Sequence, residues 1–184
     1  MTTTKTRVTA QDYSQLPETT QPMELIDGEI IVSPSPLDYH QEISVNIIMI
    51  LMGLVAKQGY LRHSPIDVRL DEYNVIQPDV MWVSGPESAC QRDAEGKRWY
   101  GGPDLVCEIL SPGTAKRDRQ TKFMLYEKYG TREYWLLDPA NQWVEVYTRQ
   151  EDKLVLVDVY HQTIFTSPLL QQPIDTKDLF ALQH

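Results

Sequence analysis

Apolar residues change their spacing from one segment of the chain to the next, and these changes predict the order of secondary-structure elements. Apolar side chains recur at helical spacing between residues 38 and 57, which predicts an amphipathic helix. Residues 24–32 hold two short apolar runs on either side of Asp27-Gly28, a pattern typical of a tight β-hairpin. The first third of the chain is therefore expected to form a hairpin followed by a helix.

The rest of the chain is expected to be mostly strands, interrupted by one long helix. The alternation in residues 66–70 and the extended run in residues 75–83 predict two antiparallel strands, with Pro78 at an edge or a bulge. Residues 84–102 are expected to be a loop or a short helix. Further strands are expected at 104–110, 133–138, 142–148 and 154–160, and helices at 114–129 and 175–182. This order predicts an α/β fold with a mixed β-sheet flanked by helices.

The sequence contains no internal boundary between domains. Neither a repeat nor a Gly/Ser-rich or charged linker divides it, so residues 11–184 are expected to form a single domain. Residues 1–10 are rich in threonine and lack apolar periodicity, which predicts a flexible N-terminal arm.

Three features argue against a membrane or secreted protein. The longest apolar run, residues 47–55, is far shorter than the roughly 20 residues that span a bilayer, and it is expected to be a buried helix instead. No hydrophobic stretch follows the first basic residues, as it would in a secretory signal. Cys90 and Cys107 lack the spacing of metal or redox sites. We therefore expect a protein of the reducing cytoplasm without membrane contact.

The charge of the chain is unevenly distributed. The net charge of −9 excludes a surface that is basic everywhere. Residues 92–132 nevertheless hold nine of the 17 Lys and Arg residues against six acids, so this segment carries +3 and the remainder −12. A mild cation excess on a solvated stretch and a phosphate-contacting surface are both consistent with this distribution.

Two carboxylates lie within runs that are otherwise apolar. Asp79 belongs to the run at 75–83 and Glu108 to the run at 104–110, and both runs are predicted strands. A buried carboxylate needs a cation, a metal ion or several hydrogen-bond donors to offset its lost hydration. Each acid could be paired with an arginine or face solvent, but two such acids on core strands favour a site for a hard divalent cation.

Three further residues could join these acids. Lys122 lies on the inward face of the helix that follows Glu108, where it could neutralise Glu108 or activate a water for attack on a phosphate. His40 lies on the apolar stripe of the helix at 38–57 and could be a core residue or a site residue. Glu29 follows the hairpin turn and could approach the same site.

Several short motifs occur in a fixed order between about residue 10 and residue 182. They include Glu24–Glu29, Ser33–Pro36, His40, Gln77–Val80, Gly102–Pro112, Asp118 with Lys122 and Tyr126, Glu133–Pro139 and Ser167–Leu170. Taken together, they resemble the putative restriction endonuclease family, a branch of the PD-(D/E)XK nuclease superfamily. This resemblance implies a restriction-endonuclease-like core.

The resemblance also implies a metal-dependent endonuclease that hydrolyses DNA phosphodiester bonds with Mg²⁺ or Mn²⁺. In the superfamily, Pro-Asp on one strand is followed by Asp/Glu-x-Lys on the next, and the acids of both hold the cation. This pattern implies Asp79, Glu108 and the backbone carbonyl of Ile109 as metal ligands. Leu110 occupies the lysine position of the pattern, and the family likeness implies that Lys122 on the helix supplies the lysine instead.

A nuclease of this size is expected to act as a homodimer, because cleavage of two strands by one small domain is most easily arranged by a two-fold axis.

The leucine at position 110 leaves more than one interpretation of the function open. The alternative is a catalytically silent nuclease-fold module that binds nucleic acid or a protein partner. An acidic interaction protein without a nucleic-acid partner is a third possibility, favoured by the sequence pI of about 4.9.

Overall fold

A computed structural model describes residues 7–17, 19–55 and 58–182, and within them the chain forms two six-stranded sheets and one two-stranded sheet. The helices are α1 (Ala10–Tyr13), α2 (Asp38–Val55), α3 (Ala115–Arg117), α4 (Phe123–Lys128) and α5 (Thr176–Leu179), and a π-helical segment, Asp118–Lys122, joins α3 to α4. The strands are β1 (Met23–Ile26), β2 (Glu29–Val32), β3 (Tyr60–His63), β4 (Val68–Arg69), β5 (Val75–Ile76), β6 (Val80–Val83), β7 (Gln91–Arg92), β8 (Trp99–Tyr100), β9 (Leu105–Ile109), β10 (Glu133–Asp138), β11 (Trp143–Gln150), β12 (Lys153–His161), β13 (Ile164–Thr166) and β14 (Pro173–Asp175).

The first sheet has the strand order β2-β1-β5-β4-β8-β7. β1 and β2 form the predicted hairpin, with Leu25 paired to Ile30. Asp27 and Gly28 have φ values of 51° and 78°, the left-handed conformation that a tight hairpin turn requires. β4 and β5 are antiparallel as predicted, although each is only two residues long.

The second sheet has the order β12-β11-β10-β9-β6-β3 and carries most of the core. β9 and β10 are parallel, and the helical stretch of α3, the π-helical segment and α4 connects them. Residues such as Cys107 and Trp135 pack against α2 and the C-terminal segment, whereas Val106 and Tyr134 pack against α4 and the first sheet. The predicted α/β fold with a mixed sheet flanked by helices is confirmed, with a second sheet covering part of one face.

Two strand predictions differ from the structure. The run at 75–83 is not one strand, because β5 and β6 belong to different sheets and Pro78 lies in the break between them. Proline has no backbone N–H and cannot continue a strand ladder. Residues 84–102, expected to be a loop or a short helix, contain the antiparallel pair of β7 and β8.

α2 is the predicted helix, but it is not buried on all sides. Ile43, Ile47, Leu51 and Val55 face the second sheet. The prediction of a buried helix at 47–55 is wrong for the opposite face, which is exposed. Residues 56–57 of the predicted helix lie outside the described residues. Over residues 7–17, 19–55 and 58–182, no helix is long and apolar enough to cross a membrane.

The described part of the predicted N-terminal arm is hydrogen-bonded to the first sheet. The Val8 N–H donates to the Gly28 carbonyl at 2.9 Å, and the Ala10 N–H donates to the Glu72 carbonyl at 2.6 Å. α1 begins at Ala10 with Thr9 as its N-cap. Residues 1–6 of the predicted arm lie outside the described residues.

Glu133 is a fully buried carboxylate that fixes the C-terminal segment to the second sheet. Its Oε1 accepts hydrogen bonds from Trp135 Nε1 at 2.5 Å and from Ser167 Oγ at 2.8 Å, and its Oε2 accepts one from the Leu169 N–H at 2.6 Å. Burial raises the pKa of Glu133, and these donors oppose the shift. One acid thereby links the start of β10 to residues about 35 positions later.

Replacing Glu133 with glutamine is expected to lower the free energy of unfolding by about 1–3 kcal/mol, because the amide cannot accept at both positions and leaves a buried donor unsatisfied. Urea denaturation measures the effect. Ser167→Ala removes one of the three donors to Glu133 and also the acceptor of the Leu170 N–H, so it is expected to lower the free energy of unfolding by about 1–3 kcal/mol. If Glu133→Gln has the same midpoint of urea unfolding as the parent, the hydrogen bonds of Glu133 do not stabilise the C-terminal segment and its apolar contacts do.

Cys90 and Cys107 are both free and buried. Burial raises the pKa of Cys90 to about 12 and that of Cys107 well above its usual range. Since the thiolate is the reactive form, neither thiol is expected to react with Ellman's reagent in the folded protein near neutral pH. Both are expected to react once the protein is unfolded in guanidinium chloride. Stoichiometric reaction under native conditions would contradict this prediction.

Candidate active site

Asp79 immediately precedes β6, and Glu108 lies on β9, the neighbouring strand of the second sheet. Val80 pairs with Cys107, so Asp79, the residue before Val80, and Glu108, the residue after Cys107, are next in line across the two strands. Residues directly opposite each other in an antiparallel pair have Cβ atoms roughly 5 Å apart. Asp79 Oδ2 also accepts a hydrogen bond from the Ile109 N–H at 2.8 Å. The fold therefore brings together the two acids that the sequence singled out, where β6 begins and β9 ends.

Lys122 reaches Glu108 from the helical connection. Its Nζ lies 2.6 Å from Glu108 Oε1, 3.2 Å from Glu24 Oε1 and 3.9 Å from Asp118 Oδ1. The ammonium also donates to the Gln77 carbonyl at 3.3 Å, and only 3% of the side chain is exposed. The expected placement of Lys122 beside Glu108 is confirmed, while its catalytic role stays a prediction.

The π-helical segment Asp118–Lys122 sets the direction of this lysine. π-Helical turns inside α-helices are rare and occur frequently at functional sites. One turn later, Tyr126 donates its hydroxyl hydrogen bond to the same Glu108 Oε1 at 2.5 Å. Lys122 and Tyr126 therefore face the sheet together, as their spacing of four residues predicts.

Glu24 is a site residue that the sequence analysis missed. It is buried in β1, and its Oε1 accepts a hydrogen bond from the Gln77 N–H at 2.9 Å. Its Oε2 lies 3.5 Å from Arg117 Nε. An acid inside the apolar run of β1 is the same signal that identified the other two strand acids. Glu29, the predicted candidate from this hairpin, is exposed at the start of β2, in register with Ile26.

His40 lies in the first turn of α2 and contacts Asp79. Its Nε2 is 3.2 Å from Asp79 Oδ2. The buried Nδ1 has no hydrogen-bond partner among the described residues. Burial acts to lower the pKa of His40, but the hydrogen bond and charge of Asp79 outweigh it, so the pKa is raised. Of the two open interpretations of His40, the structure favours a site residue over a core residue.

The site holds more acids than permanent cations. Burial raises the pKa of Glu108 well above its usual range, Lys122 opposes this shift, and neighbouring carboxylates add to it. Burial also raises the pKa of Asp118. A local surplus of negative charge favours the binding of an added cation. Among the described residues, the acids of the site are Glu24, Asp79, Glu108 and Asp118, which we call the acidic cluster. The cations beside this cluster are Lys122 and Arg117.

The cluster supplies the type of donor that Mg²⁺ and Mn²⁺ prefer. In the described part of the chain, no three His, Cys, Asp or Glu side chains form a preformed metal site. Mg²⁺ does not require one, because it usually binds one or two carboxylates and fills its other positions with waters or substrate phosphates. Asp79, Glu108 and the Ile109 carbonyl are hard oxygen donors at one place in the fold, so their chemistry fits such an ion.

The cation excess of residues 92–132 is largely matched by acids from other parts of the chain. Within the described parts of the chain, five of the nine cations form ion pairs, and most of the acids involved lie outside the segment. The pairs include Arg117 with Glu24, Arg119 with Glu145 and Asp138, Lys122 with Glu24 and Glu108, Lys128 with Asp71, and Arg132 with Asp104. The segment therefore does not present its full +3 as an uncompensated basic surface.

Comparisons with known proteins agree with the motif resemblance. An uncharacterized protein of Synechocystis, sll1609, is 27% identical over 160 residues, covering 79% of this chain and 83% of its own. The crystal structure of a putative nuclease belonging to DUF820 from Anabaena variabilis matches with a TM-score of 0.78 at 25% identity, covering 94% of this chain and 97% of the other. The model of the Uma2 family, described as putative restriction endonuclease, matches residues 10–175. Because this match covers most of the 184 residues, the chain belongs to the Uma2 family.

Proposed function

We propose that the protein is a metal-dependent endonuclease that hydrolyses phosphodiester bonds in DNA, with Mg²⁺ or Mn²⁺ as its cofactor. The observation that carries the proposal is the convergence of Asp79, at the start of β6, with Glu108, near the end of the neighbouring strand β9, while the Lys122 ammonium lies 2.6 Å from Glu108. The description of the Uma2 family as putative restriction endonuclease supports the same class of activity.

In this proposal, Asp79, Glu108 and the Ile109 carbonyl hold the metal ion. Such an ion, when bound, polarises the scissile phosphate and lowers the pKa of a bound water. The Ile109 N–H orients the Asp79 carboxylate, and Tyr126 orients that of Glu108. Outer hydrogen bonds of this kind fix the direction of ligating groups and strengthen metal binding.

Lys122 and His40 assist from opposite sides of the two acids. Lys122 keeps its proton, because the surrounding carboxylates raise its pKa more than burial lowers it. A fixed positive charge can orient the attacking water and stabilise the charge that develops on the phosphate. His40 positions Asp79 through its contact at 3.2 Å. Glu29 is exposed and remains a secondary candidate for contact with the substrate.

The proposal includes the setting in which the enzyme acts. Two copies arranged about a two-fold axis would each cut one strand of duplex DNA. Two free, buried cysteines agree with a reducing compartment such as the cytoplasm.

Incubation with supercoiled plasmid tests the activity. Nicked and linear products are expected with Mg²⁺ or Mn²⁺ and are expected to disappear when EDTA is added. Asp79→Asn, purified in parallel, is the control for a contaminating nuclease, since a contaminant would cut equally in both preparations. Equal cleavage by both proteins, or none under any of these conditions, would reject the proposal.

A catalytically silent module is the second candidate, and one observation favours it. Glu108 and Lys122 are each only 3% exposed and are bonded to one another, an arrangement also suited to a purely structural ion pair. Retardation of DNA in a gel without cleavage, strongest at low salt, would support a binding module. Binding of neither DNA nor RNA would instead favour a protein partner.

A further inference from the structure

Most of the cations in residues 92–132 that lack an ion pair lie in one hairpin. Four cations of this segment form no ion pair with a described residue, namely Arg92, Lys97, Arg98 and Lys116. The first three belong to β7 or to the turn that joins it to β8. The chain has 26 acids for 17 Lys and Arg residues, so a shortage of carboxylates does not explain unpaired cations.

Arg62 adds an unpaired cation from the second sheet, at the point where the two sheets meet. β3 and β7 are edge strands, one in each six-stranded sheet. The rings of Tyr60 and Trp99 contact each other with centroids 5.5 Å apart. The Arg62 guanidinium lies 5.7 Å and 5.9 Å from these two centroids, and the Arg92 guanidinium lies 5.4 Å from both. We call these four residues the arginine platform.

Rings and backbone together hold both guanidinium groups of the arginine platform in place. Arg62 donates a hydrogen bond to the Leu61 carbonyl at 2.7 Å, and Arg92 donates one to the Gly96 carbonyl. A Cβ atom added at Gly96 would lie 2.8 Å from Arg92 Nη2, so the glycine leaves room for this guanidinium. A guanidinium has five N–H donors, and one hydrogen bond each therefore leaves most of them available to a ligand.

We propose that the arginine platform binds backbone phosphates of the DNA substrate beside the candidate active site. The inference rests on the proposed function, since it names a second place at which the same substrate is held. Arginine binds phosphate oxygens in pairs through its planar fork of N–H groups, and its guanidinium also stacks on aromatic rings. Phosphate contacts of this kind fix the position of DNA without reading its sequence.

Strand β3 connects the arginine platform to the acidic cluster. The Ser64 N–H donates to the Asp79 carbonyl at 3.0 Å, so the pairing of β3 with β6 continues as far as Asp79. Arg62 lies two residues before Ser64, about 7 Å along the strand. Phosphates of one DNA strand follow each other at about 3.4 Å along the helix axis. The platform would therefore contact phosphates a few nucleotides away from the one that is cut.

The acids of the neighbouring turn do not neutralise the arginine platform. Among the described residues, Asp93 and Glu95 form no ion pair with Arg62 or Arg92. Asp93 instead accepts a hydrogen bond from the Lys97 N–H at 2.6 Å. The net charge of −9 opposes the approach of a polyanion elsewhere, so phosphates need a local group of cations. An acidic peptide would also suit two arginines, but the position beside the acidic cluster favours the DNA substrate.

Fluorescence anisotropy with a labelled DNA duplex tests the arginine platform. The full chain is used in EDTA, so that binding is measured without cleavage. Arg62→Gln combined with Arg92→Gln is expected to raise the dissociation constant by roughly 10-fold or more. The slope of its logarithm against the logarithm of salt concentration is expected to fall by about 1.8, since each lost phosphate contact removes about 0.9.

The matched control removes the same charge from another part of the surface. Lys153→Gln combined with Lys177→Gln replaces two exposed cations, one on β12 at the opposite edge of the second sheet and one on α5. This variant is expected to bind the duplex with nearly the affinity and salt dependence of the parent. Circular dichroism confirms that each variant is folded.

Tyr60→Leu separates the charge of the arginines from their positioning. It keeps both charges and removes a ring that is 40% exposed and flanks them. Loss of an exposed cation–π contact corresponds to roughly a 2-fold to 5-fold increase in the dissociation constant. The salt dependence is expected to stay that of the parent, because the number of charges facing the phosphates is unchanged.

Three results would overturn the proposal. These are a parent that does not bind the duplex, a double arginine variant that binds like the parent, and an equal loss of binding in the lysine control. Displacement of the duplex by poly-glutamate at an equal concentration of charge would also overturn it, in favour of an acidic protein partner. Plasmid nicking decides the nuclease proposal separately. A parent that binds through the platform without cutting contradicts only the nuclease proposal, whereas cleavage with unchanged binding by the double arginine variant contradicts only the platform.

Discussion

Asp79→Asn is expected to abolish metal-dependent cleavage and to leave the fold intact. The amide oxygen can still accept the hydrogen bond from the Ile109 N–H, while the charge that would hold the cation is lost. A metal ion stabilises the transition state by several kcal/mol, so its loss should reduce the rate by roughly 10³-fold or more, at about 1.4 kcal/mol for each tenfold. Plasmid nicking rates measured over a range of Mg²⁺ concentrations provide the measurement.

Asp152→Asn is a suitable control for this substitution. Asp152 is exposed in the turn between β11 and β12, so the Asp152→Asn variant is expected to cleave plasmid at the same rate as the parent. Thermal unfolding without metal gives a second readout. A higher melting temperature for Asp79→Asn would agree with relief of repulsion within the acidic cluster. A cleavage rate equal to the parent's would remove Asp79 from the proposed mechanism.

Lys122→Met is expected to impair both cleavage and stability. Loss of one preorganised group that stabilises the charge developing in the transition state typically reduces rates by roughly 10²-fold to 10³-fold. From the sequence alone, the retained aliphatic stem would be expected to preserve the fold. The structure changes this expectation, because removal of the ammonium leaves Glu24, Glu108 and Asp118 buried beside it without this partner. Breaking a buried ion pair in this way lowers the free energy of unfolding by about 3–5 kcal/mol, which urea denaturation would measure.

A second substitution separates the catalytic and structural roles of Lys122. Leu110 is buried two residues after Glu108, so its side chain lies on the same side of the chain. Leu110→Lys in the Lys122→Met background would place an ammonium at the position where the motif that this sequence resembles has its lysine. Partial recovery of both cleavage and stability would support a site that accepts its lysine from either element. Recovery of stability alone would indicate that cleavage needs the ammonium at the position of Lys122, whereas a Lys122→Met variant that cuts as fast as the parent would make Lys122 a counter-charge only.

The elements that the sequence predicts well are those with a long, regular apolar pattern. α2, β9 and the pair of β10 and β11 span enough residues for their period to be recognised. β7 and β8 have two residues each, which is too short to show any period. Their pairing depends on contacts with the rest of the first sheet, and local composition does not encode such contacts.

The site was predictable where it depends on local geometry. The shared inward face of Lys122 and Tyr126 follows from their spacing of four residues, and Asp79 before β6 and Glu108 in β9 stand out against apolar neighbours. The contact between Glu24 and Lys122 joins residues almost one hundred positions apart. It exists because the first sheet packs over the helical connection, a tertiary relation that no spacing in the sequence reveals. The same holds for the contact between His40 and Asp79.

The crossing from β5 to β6 restricts how the length of this chain can vary. In three residues, the Gln77 N–H binds Glu24, the Gln77 carbonyl accepts from Lys122, and Asp79 binds the Ile109 N–H. An inserted or deleted residue would displace all of these bonds at once. Surface loops tolerate length changes far better, since the entropic cost of closing a flexible loop increases only slowly with its length. Insertion scanning should therefore find that this crossing tolerates insertions far less well than the turn between β11 and β12.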